Sequence, residues 1–166
     1  MVKQEEFKKA IIEVPNFPIE GVSFKDISPI LSDKTKFKQM IKDMGNLVDN
    51  KHIDFWVGIE SRGFLFASAL ALQFGGGVVM CRKKGKLPPP ITSYTYQLEY
   101  GEDTLEIQPG EGKVVIVDDV YATGGTMKAT EKLCESAGYT IIDKLCFIDL
   151  KYLHDDTKCK SVVQYE

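Results

Sequence analysis

The most chemically informative stretch of this 166-residue sequence runs from Val114 to Thr126 and reads VVIVDDVYATGGT. It predicts a buried strand that ends in two adjacent acids, then a turn of small residues and a helix. Glycines let the backbone approach a ligand, and consecutive N–H groups at a helix start bind an anion, assisted here by the hydroxyl of Thr123. The turn is therefore predicted to hold a monophosphate. Asp118 and Asp119 are placed to accept hydrogen bonds from vicinal ribose hydroxyls.

Two further clusters have residue types that bind phosphate groups. The segment Glu60-Ser61-Arg62-Gly63 follows an apolar run, so its backbone amides and Arg62 can hold one phosphate by charge-assisted bonds. The second cluster is cationic and comprises Arg82, Lys83, Lys84 and Lys86. Each cluster also has a plainer interpretation, as a solvated surface or a capped turn, and the same holds for the acids of the first stretch.

Missing motifs and the balance of charge exclude several classes of function. There is no G-x-x-x-x-G-K-[ST] loop and no G-x-G-x-x-G after a predicted strand, so neither an ATPase nor a dinucleotide-binding protein is indicated. With 21 basic and 24 acidic residues, the chain has no general positive field for nucleic acid or an anionic membrane. An anionic ligand is expected to be held locally.

The cysteines, the N-terminus and one uncharged run predict the redox state and the compartment of the protein. The four cysteines form no C-x-x-C pair and have no histidine at metal spacing, so they are predicted to be reduced and structural. The charged N-terminus does not resemble a secretory signal, which makes the cytoplasm the expected location. Three glycines, Gly75 to Gly77, divide the uncharged run from Gly63 to Cys81 into a helix and a strand, so no membrane span is predicted.

The elements that must position these residues alternate between strand and helix. The predicted strands are Phe55–Ile59, Val78–Cys81, Val114–Val117, Ile141–Leu150 and a short one at Val162–Val163. The predicted helices run from about Gly63 to Phe74, from about Thr126 to Ala137, and along an amphipathic stretch from Phe37 to Val48 that Ser32 or Asp33 caps. This pattern predicts an α/β fold with an open, mostly parallel sheet flanked by helices.

Two segments fall outside that alternation. Near the N-terminus, Phe7, Ile11, Ile12 and Val14 predict a short helix that Pro15 ends, before a loop that runs to about residue 33. Residues 82–103 are polar and proline-rich, with a hairpin-like stretch from 92 to 100, and they predict a long excursion from the sheet.

The stretch from Val114 to Thr126 resembles the 5-phosphoribosyl-1-pyrophosphate (PRPP) binding motif of the type I phosphoribosyltransferases. From near residue 15 onward, the chain is similar to the adenine phosphoribosyltransferases of that family. The segments that carry the similarity are Phe17-Pro18 with Gly21, FKDISP at 24–29, GIESRGF at 58–64, RKKGKLP at 82–88, LEYG at 98–101 and LEI at 105–107.

The resemblance implies a single domain over residues 1–166, with an N-terminal hood at about 1–33 and a mobile lid at about 83–107. It further implies transfer of the phosphoribosyl group of PRPP to adenine, which yields AMP and pyrophosphate. Mg²⁺ would be bound mainly through PRPP, with no metal site of the protein's own, and the protein would be a homodimer.

The resemblance also implies roles for individual residues. Those that would bind the ribose and 5-phosphate are Asp118, Asp119, Ala122, Thr123, Gly124, Gly125 and Thr126. Those that would bind pyrophosphate are Glu60, Ser61, Arg62, Gly63, Arg82, Lys83 and Lys86. Adenine would be bound by Ser23, Phe24, Lys25 and Val120. The catalytic residues would be Arg62, Glu99 and Tyr100, of which Glu99 would assist proton transfer at the purine and Tyr100 would pack over the substrates.

The identity of the base depends on two positions. Phe24 has a ring that can stack on a purine. Ala122 stands where the related hypoxanthine and guanine enzymes carry an acid, which favours adenine. Two alternatives stay open, a phosphoribosyltransferase for another base and a non-catalytic PRPP-binding regulator.

The sequence also departs from the family pattern. Pro89 replaces a frequent glycine in the lid and Tyr121 replaces a frequent leucine, while the stretches near Pro109 and at residues 154–159 are short. None of these changes removes a predicted ligand-binding residue.

Overall fold

The computed structural model describes residues 2–49 and 52–166, so the first residue of the predicted hood lies outside the described residues. Its N-terminal part consists of short elements. In order they are α1 (Val2–Ala10), β1 (Ile12–Pro15), β2 (Ser23–Asp26), α2 (Ser28–Leu31) and α3 (Lys34–Gly45).

The predicted N-terminal helix is wrong beyond Ala10. Residues Ile12 to Pro15 form a strand that pairs antiparallel with Ser23 to Asp26, and Ile12 itself is exposed. The turn between the strands is closed locally, because the amide of Gly21 donates to Oδ1 of Asn16 at 2.9 Å. Since β-branched residues favour extended backbone, this pairing outweighs the helical spacing of the apolar residues.

The remaining elements build the main sheet. They are β3 (Phe55–Ile59), α4 (Gly63–Phe74), β4 (Gly77–Lys83), β5 (Thr92–Leu98), β6 (Gly101–Ile107), β7 (Gly112–Tyr121), α5 (Gly125–Ala137), β8 (Tyr139–Leu150) and β9 (Lys160–Tyr165), with a 3₁₀ turn at Lys151–Leu153. The strand order is β5-β6-β4-β3-β7-β8-β9. Strands β4, β3, β7, β8 and β9 are parallel, and the hairpin β5–β6 joins β4 antiparallel. The predicted open, mostly parallel sheet flanked by helices is confirmed.

Helix α3 shows why the predicted elements form where they do. Of the two predicted caps, Asp33 is the one used, since its side chain accepts from the amides of Thr35 and Lys36 at 2.9 and 3.0 Å. The helix then buries Met40 and Met44, which lie one turn apart on the same face. Capping of this kind stabilises a helix by about 1 kcal/mol.

Apolar side chains cover both faces of the sheet. On one face Trp56, Phe66 and Phe147 are fully buried under α1, α3 and α4, and burial of each such ring contributes about 1.5–3 kcal/mol. On the other face Leu133 of α5 packs on Ile116 and its neighbours. The sheet is therefore a rigid base for the residues at its carboxyl edge.

The cysteine prediction agrees with the structure, in which the four thiols are free and buried. Among the described helices, none combines the length and apolar character that crossing a membrane requires.

Candidate active site

The candidate site lies at the point where the order of the parallel strands reverses. From β3 the chain moves to β4 on one side and later returns to β7 on the other side. Pairing between β3 and β7 ends at Gly58 and Val117, whereas β7 continues to Tyr121 against β8. The edge of β7 that faces β3 is therefore free beyond Val117, and this forms the crevice where open α/β sheets bind ligands.

A cavity of about 630 Å³ occupies this crevice. It is lined by the segment around β2, the loop after β3, the β5–β6 hairpin, the ends of β4, β7 and β8, and the start of α5. The lining residues are Val22, Ser23, Phe24, Lys25, Ile59, Glu60, Ser61, Arg62, Lys83, Tyr96, Leu98, Asp103, Leu105, Asp118, Asp119, Val120, Ala122, Thr126 and Leu150.

Asp118 and Asp119 belong to β7, which extends four residues beyond its predicted end at Val117. Oδ1 of Asp118 accepts from the amide of Asp119 at 2.9 Å. Burial, together with the negative charge of the Asp119 carboxylate, raises the pKa of Asp118 well above its usual value. The side chain of Asp119 is 8% exposed and forms an ion pair with Nε of Arg62 at 2.5 Å.

Arg62 joins the acidic pair to the aromatic side of the cavity. Its guanidinium lies 5.0 Å from the centre of the Phe24 ring, a cation–π distance. Phe17 packs edge-on against Phe24, with ring centres 5.2 Å apart. A flat group that enters between Phe24 and the acids would therefore meet an ordered aromatic face.

The carboxylate of Glu60 is held by two other predicted pyrophosphate ligands. It accepts from the Lys83 amide at 2.7 Å and pairs with Nη2 of Arg82 at 3.3 Å. Burial alone raises the pKa of Glu60, but these two donors outweigh burial, so the pKa lies below its usual value. Glu60 thus fixes the end of β4 beside the loop after β3.

Gly63 lets the start of α4 lie close to the end of β7. A Cβ at this position would lie 2.8 Å from the carbonyl oxygen of Val117, a backbone atom that cannot move aside. The structure therefore brings the start of α4 against the end of β7. Gly63 lies outside the cavity lining, while Ser61 and Arg62 belong to it.

The turn from Ala122 to Thr126, called the phosphate loop from here on, surrounds a second cavity of about 80 Å³ together with its neighbours on β7 and α5. Gly124 has φ +84°, in the left-handed region that favours glycine, and a Cβ there would lie 2.4 Å from the Tyr121 hydroxyl oxygen. Helix α5 begins at Gly125, so its first amides are available for an anion.

Of the cationic cluster Arg82, Lys83, Lys84 and Lys86, only Lys83 lines the main cavity. It forms an ion pair with Asp103 of the hairpin that raises the pKa of Lys83. Arg82 lies beside Phe64, at 5.7 Å from its ring centre, and donates weakly to the Lys86 carbonyl oxygen at 3.5 Å. Lys86 lies outside the lining of the cavity.

The predicted catalytic residues of the lid are not brought to the cavity. Glu99 and Tyr100 form the tip of the hairpin between Leu98 and Gly101, and Tyr100 is 90% exposed. Two hairpin residues that the sequence analysis did not select, Tyr96 and Asp103, line the cavity instead. The alternation of side chains along β5 would have identified Tyr96, because every second residue of this strand faces inward.

The predicted base-binding residues line the cavity together. Lys25 is nonetheless engaged elsewhere through its side chain, which pairs with Glu13 at 2.9 Å and lies over the ring of Tyr165 at 4.5 Å. The Ser23 hydroxyl likewise donates to Glu13. The side chains of Ser23 and Lys25 are therefore engaged by Glu13, whereas Phe24 and Val120 line the cavity with apolar side chains.

Comparison with known proteins places the chain among characterised relatives. The family model described as phosphoribosyl transferase domain matches residues 30–165. Two curated relatives are named adenine phosphoribosyltransferase. The one from Hydrogenovibrio crunogenus is 47% identical, covering 99% of each chain. The one from Bdellovibrio bacteriovorus is 42% identical, covering 96% of this chain and 99% of the relative.

Solved structures agree with that relationship. The adenine phosphoribosyltransferase of Thermoanaerobacter pseudethanolicus superimposes with a TM-score of 0.90 at 40% identity, covering 98% of this chain and 99% of the other. The Saccharomyces cerevisiae enzyme, solved with an imino-altritol bisphosphate and adenine, has a TM-score of 0.87 at 38% identity and covers 98% and 97% of the two chains.

Proposed function

Because the chain belongs to the phosphoribosyl transferase domain family, we propose that it is an adenine phosphoribosyltransferase, which converts PRPP and adenine to AMP and pyrophosphate. The observation that carries this proposal is the shared cavity of Phe24, Arg62 and the Asp118–Asp119 pair, with the phosphate loop at its edge. One side suits a flat base, and the other suits a phosphorylated ribose.

The donor is bound by the end of β7 and the phosphate loop. Asp118 and Asp119 accept hydrogen bonds from the ribose hydroxyls, and residues Ala122 to Thr126 hold the 5-phosphate by backbone amides and threonine hydroxyls. Support for this role comes from the small cavity that these residues surround. A fixed ribose places C1 between the base and the leaving group, which removes orientational entropy from the reaction.

Pyrophosphate departs toward the cations. The bond from C1 to the pyrophosphate oxygen breaks as a ring nitrogen of adenine bonds to C1, and the purine then loses a proton. Arg62, the Ser61 amide and Lys83 face the cavity and stabilise the departing charge. Arg82 and Lys86 contribute from a greater distance. Glu60 positions Arg82 and the Lys83 backbone, and Gly63 lets the loop approach β7.

Adenine lies against Phe24, with Arg62 on the same face and Val120 beside it. Backbone groups of Ser23 and Lys25 read its polar edge, since their side chains are occupied by Glu13. Ala122 presents only a methyl group to the cavity, so no acid selects a 6-oxopurine. This arrangement supports adenine over hypoxanthine or guanine.

Residues 83–107 act as a lid, and residues 1–33 act as a hood over the base. The lid carries Glu99 and Tyr100 at its tip, so these two residues act only when the hairpin bends toward the cavity. Such closure would exclude water from a reactive glycosyl cation. Glu99 would then accept or relay the purine proton, while Tyr100 would pack over the substrates.

Mg²⁺ enters with the donor in this proposal. The described residues contain no group of three or more metal-ligating side chains, and the Asp119 carboxylate is already paired with Arg62. These residues fit an ion that oxygen atoms of PRPP and water would hold, with Asp118 as the acid that would contact the ion through its water ligands. When bound, the ion supplies charge neutralisation to the pyrophosphate.

We further propose a homodimer in the cytoplasm. The outer face of α4 and β4 exposes apolar side chains, with Leu72 at 92%, Leu65 at 48%, Met80 at 43% and Val78 at 40% exposure. A second copy of the chain would cover that face, because large exposed apolar patches mark interaction surfaces. The free, buried thiols are consistent with a reducing compartment.

The test of the proposed function is a product assay. Purified protein with PRPP and Mg²⁺ is incubated separately with adenine, hypoxanthine, guanine, xanthine, uracil and orotate, and nucleotides are separated by chromatography. AMP alone, abolished by EDTA, is the expected result. A different nucleotide would overturn the choice of base, and saturable PRPP binding without any product would favour a non-catalytic regulator.

A further inference from the structure

The residue that precedes the phosphate loop makes an unusual set of contacts. Tyr121 is 4% exposed at the end of β7, and its hydroxyl lies directly under Gly124, the left-handed residue of the loop. The hydroxyl donates to Oδ2 of Asp156 at 3.0 Å. This bond raises the pKa of Tyr121, in addition to the effect of burial. The phosphate loop therefore rests on a hydroxyl group that a distant part of the chain holds.

That distant part, residues 154–158, is called the strap from here on, and it is anchored at several points. Asp156 also accepts from the Lys158 amide at 2.8 Å. The ring of His154 packs edge-on against Tyr121 with centres 4.7 Å apart. Nδ1 of His154 accepts from the Asp156 amide at 3.1 Å, so Nε2 carries the proton and donates to the buried Asp149 at 2.7 Å. The strap is thus fixed to the end of β8.

We propose that Tyr121 and Asp156 act as one positioning unit that holds the phosphate loop in the conformation that binds the donor. The inference rests on the proposed function, because it takes the 5-phosphate of the donor as the ligand of the loop. Neither residue lines the main cavity, so the unit acts through the loop and not by contact with the base or the pyrophosphate.

Loss of the hydrogen bond between Tyr121 and Asp156 is expected to weaken binding of the 5-phosphate more than it destabilises the fold. Without its bond to Asp156, the Tyr121 ring beneath Gly124 is no longer tied to the strap, and Gly124 gains conformations because glycine has more backbone freedom than other residues. The loop would then have to be ordered when the phosphate binds. A net hydrogen bond corresponds to about a threefold to tenfold change in an equilibrium constant, which sets the scale of the expected effect.

The experiment measures dissociation constants of ribose 5-phosphate and of pyrophosphate by calorimetry, both in the presence of Mg²⁺. For Tyr121→Phe, we expect the ribose 5-phosphate constant to rise about threefold to tenfold, with the pyrophosphate constant unchanged. Asp156→Ala should raise the ribose 5-phosphate constant by the same factor. The double variant should bind ribose 5-phosphate no more weakly than either single variant, because both substitutions remove the same hydrogen bond. Asp156→Asn should restore binding, since its amide group can still bond to the hydroxyl.

Tyr139→Phe is the matched control. Tyr139 is also buried, and its hydroxyl donates at 3.0 Å to the carbonyl oxygen of Gln108, at the amino end of β8 and far along the strand from the loop. This variant should lose comparable thermal stability and keep both dissociation constants. Equal weakening in Tyr139→Phe, unchanged ribose 5-phosphate binding in Tyr121→Phe, or failure of Asp156→Asn to restore binding would each overturn the positioning role.

The product assay keeps this inference separate from the proposed function. Wild-type protein that binds ribose 5-phosphate but yields no AMP would overturn the proposed function and leave the positioning unit in place. Wild-type protein that yields AMP, with Tyr121→Phe showing an unchanged KM for PRPP, would overturn the positioning unit alone. A wild-type protein that neither binds ribose 5-phosphate nor yields AMP would overturn both.

Discussion

Nε of Arg62, in the loop after β3, lies 2.5 Å from Oδ2 of Asp119, on β7. The two strands are neighbours in the sheet, so this ion pair spans the crevice between their carboxyl ends. The same guanidinium contacts Phe24, and it thereby connects the residues that we assign to ribose, pyrophosphate and base. A change at either partner should therefore alter substrate use more than folding.

Asp119→Asn should raise the KM for PRPP and lower kcat/KM by about tenfold to a hundredfold, because hydrogen bonds to charged groups contribute about 1.5–3 kcal/mol. Steady-state kinetics with PRPP as the varied substrate measure the effect. Asp143→Asn is the matched control, since Asp143 is similarly buried and pairs with Lys160 at 2.7 Å away from the cavity. Wild-type kinetics for Asp119→Asn would exclude the ribose role of this residue.

Asp118→Asn should stabilise the ligand-free protein at neutral pH while it reduces activity. Burial and the Asp119 charge raise the pKa of Asp118, so the folded state binds this proton more readily than the unfolded state does, and the ionised form is destabilising. By linkage, the contribution of this group to stability falls as pH rises through the range between the unfolded and the folded pKa values. Asparagine keeps the oxygen that accepts from the Asp119 amide.

The measurement for Asp118→Asn is the thermal unfolding midpoint of variant and wild type between pH 4 and 8. The stabilising difference should be largest at the higher pH and should shrink toward low pH, where wild-type Asp118 becomes protonated and resembles asparagine. A difference that is constant over this range, or one that favours the wild type at neutral pH, would contradict the raised pKa.

Part of the site was predictable because it depends on local signals. The acids Asp118 and Asp119, the glycines of the phosphate loop and the Arg62 segment directly follow apolar runs, so their positions at the carboxyl edge follow from the parallel sheet. The position of Asp103 was not predictable in this way, and the alternation along β5 indicates only that Tyr96 faces inward, not which residues it faces. The contacts of both residues depend on the antiparallel register between β6 and β4, which pairs Lys83 with Leu105 across about twenty residues of sequence.

The N-terminal region shows a second limit of sequence reasoning. The apolar spacing of residues 7 to 14 fits a helix, yet Ile12 and Val14 are in a strand because β2 supplies backbone partners for them. The extension of β7 to Tyr121 has the same cause, since β8 continues to pair with it beyond Val117. Pairing between strands is decided by distant residues, which periodicity along one segment does not reveal.

Phe24→Leu should raise the KM for adenine and leave the KM for PRPP within about twofold. Stacking of a base on an aromatic ring contributes about 1–3 kcal/mol, so a roughly fivefold or larger rise is expected. Phe17→Leu is the control, because Phe17 contacts the Phe24 ring edge-on and does not line the cavity. Initial rates with adenine as the varied substrate give the KM for adenine of each variant. An equal rise in both variants would argue against stacking of the base on Phe24.

Leu72→Glu should convert the proposed homodimer to a monomer, since it places a charge in the apolar face of α4 and β4, where desolvation of an unpaired carboxylate is costly. Sedimentation velocity of wild type and variant gives the mass of each. Leu153→Glu is the control, as Leu153 is exposed on the 3₁₀ turn and not on α4. A wild-type protein that sediments as a monomer at all accessible concentrations would contradict the homodimer.

The hairpin β5–β6 is attached to the rest of the sheet only at its base, where Arg82 pairs with Glu106 and Lys83 with Leu105. Within the hairpin, pairing is continuous from Thr92 with Ile107 to Leu98 with Gly101. The part of the hairpin beyond Tyr96 and Asp103 is paired within itself, Gln97 with Glu102 and Leu98 with Gly101. A chimaeric protein could receive the hairpin tip of a relative by exchange within residues 97–102, with Tyr96 and Asp103 kept because they line the cavity and Asp103 pairs with Lys83.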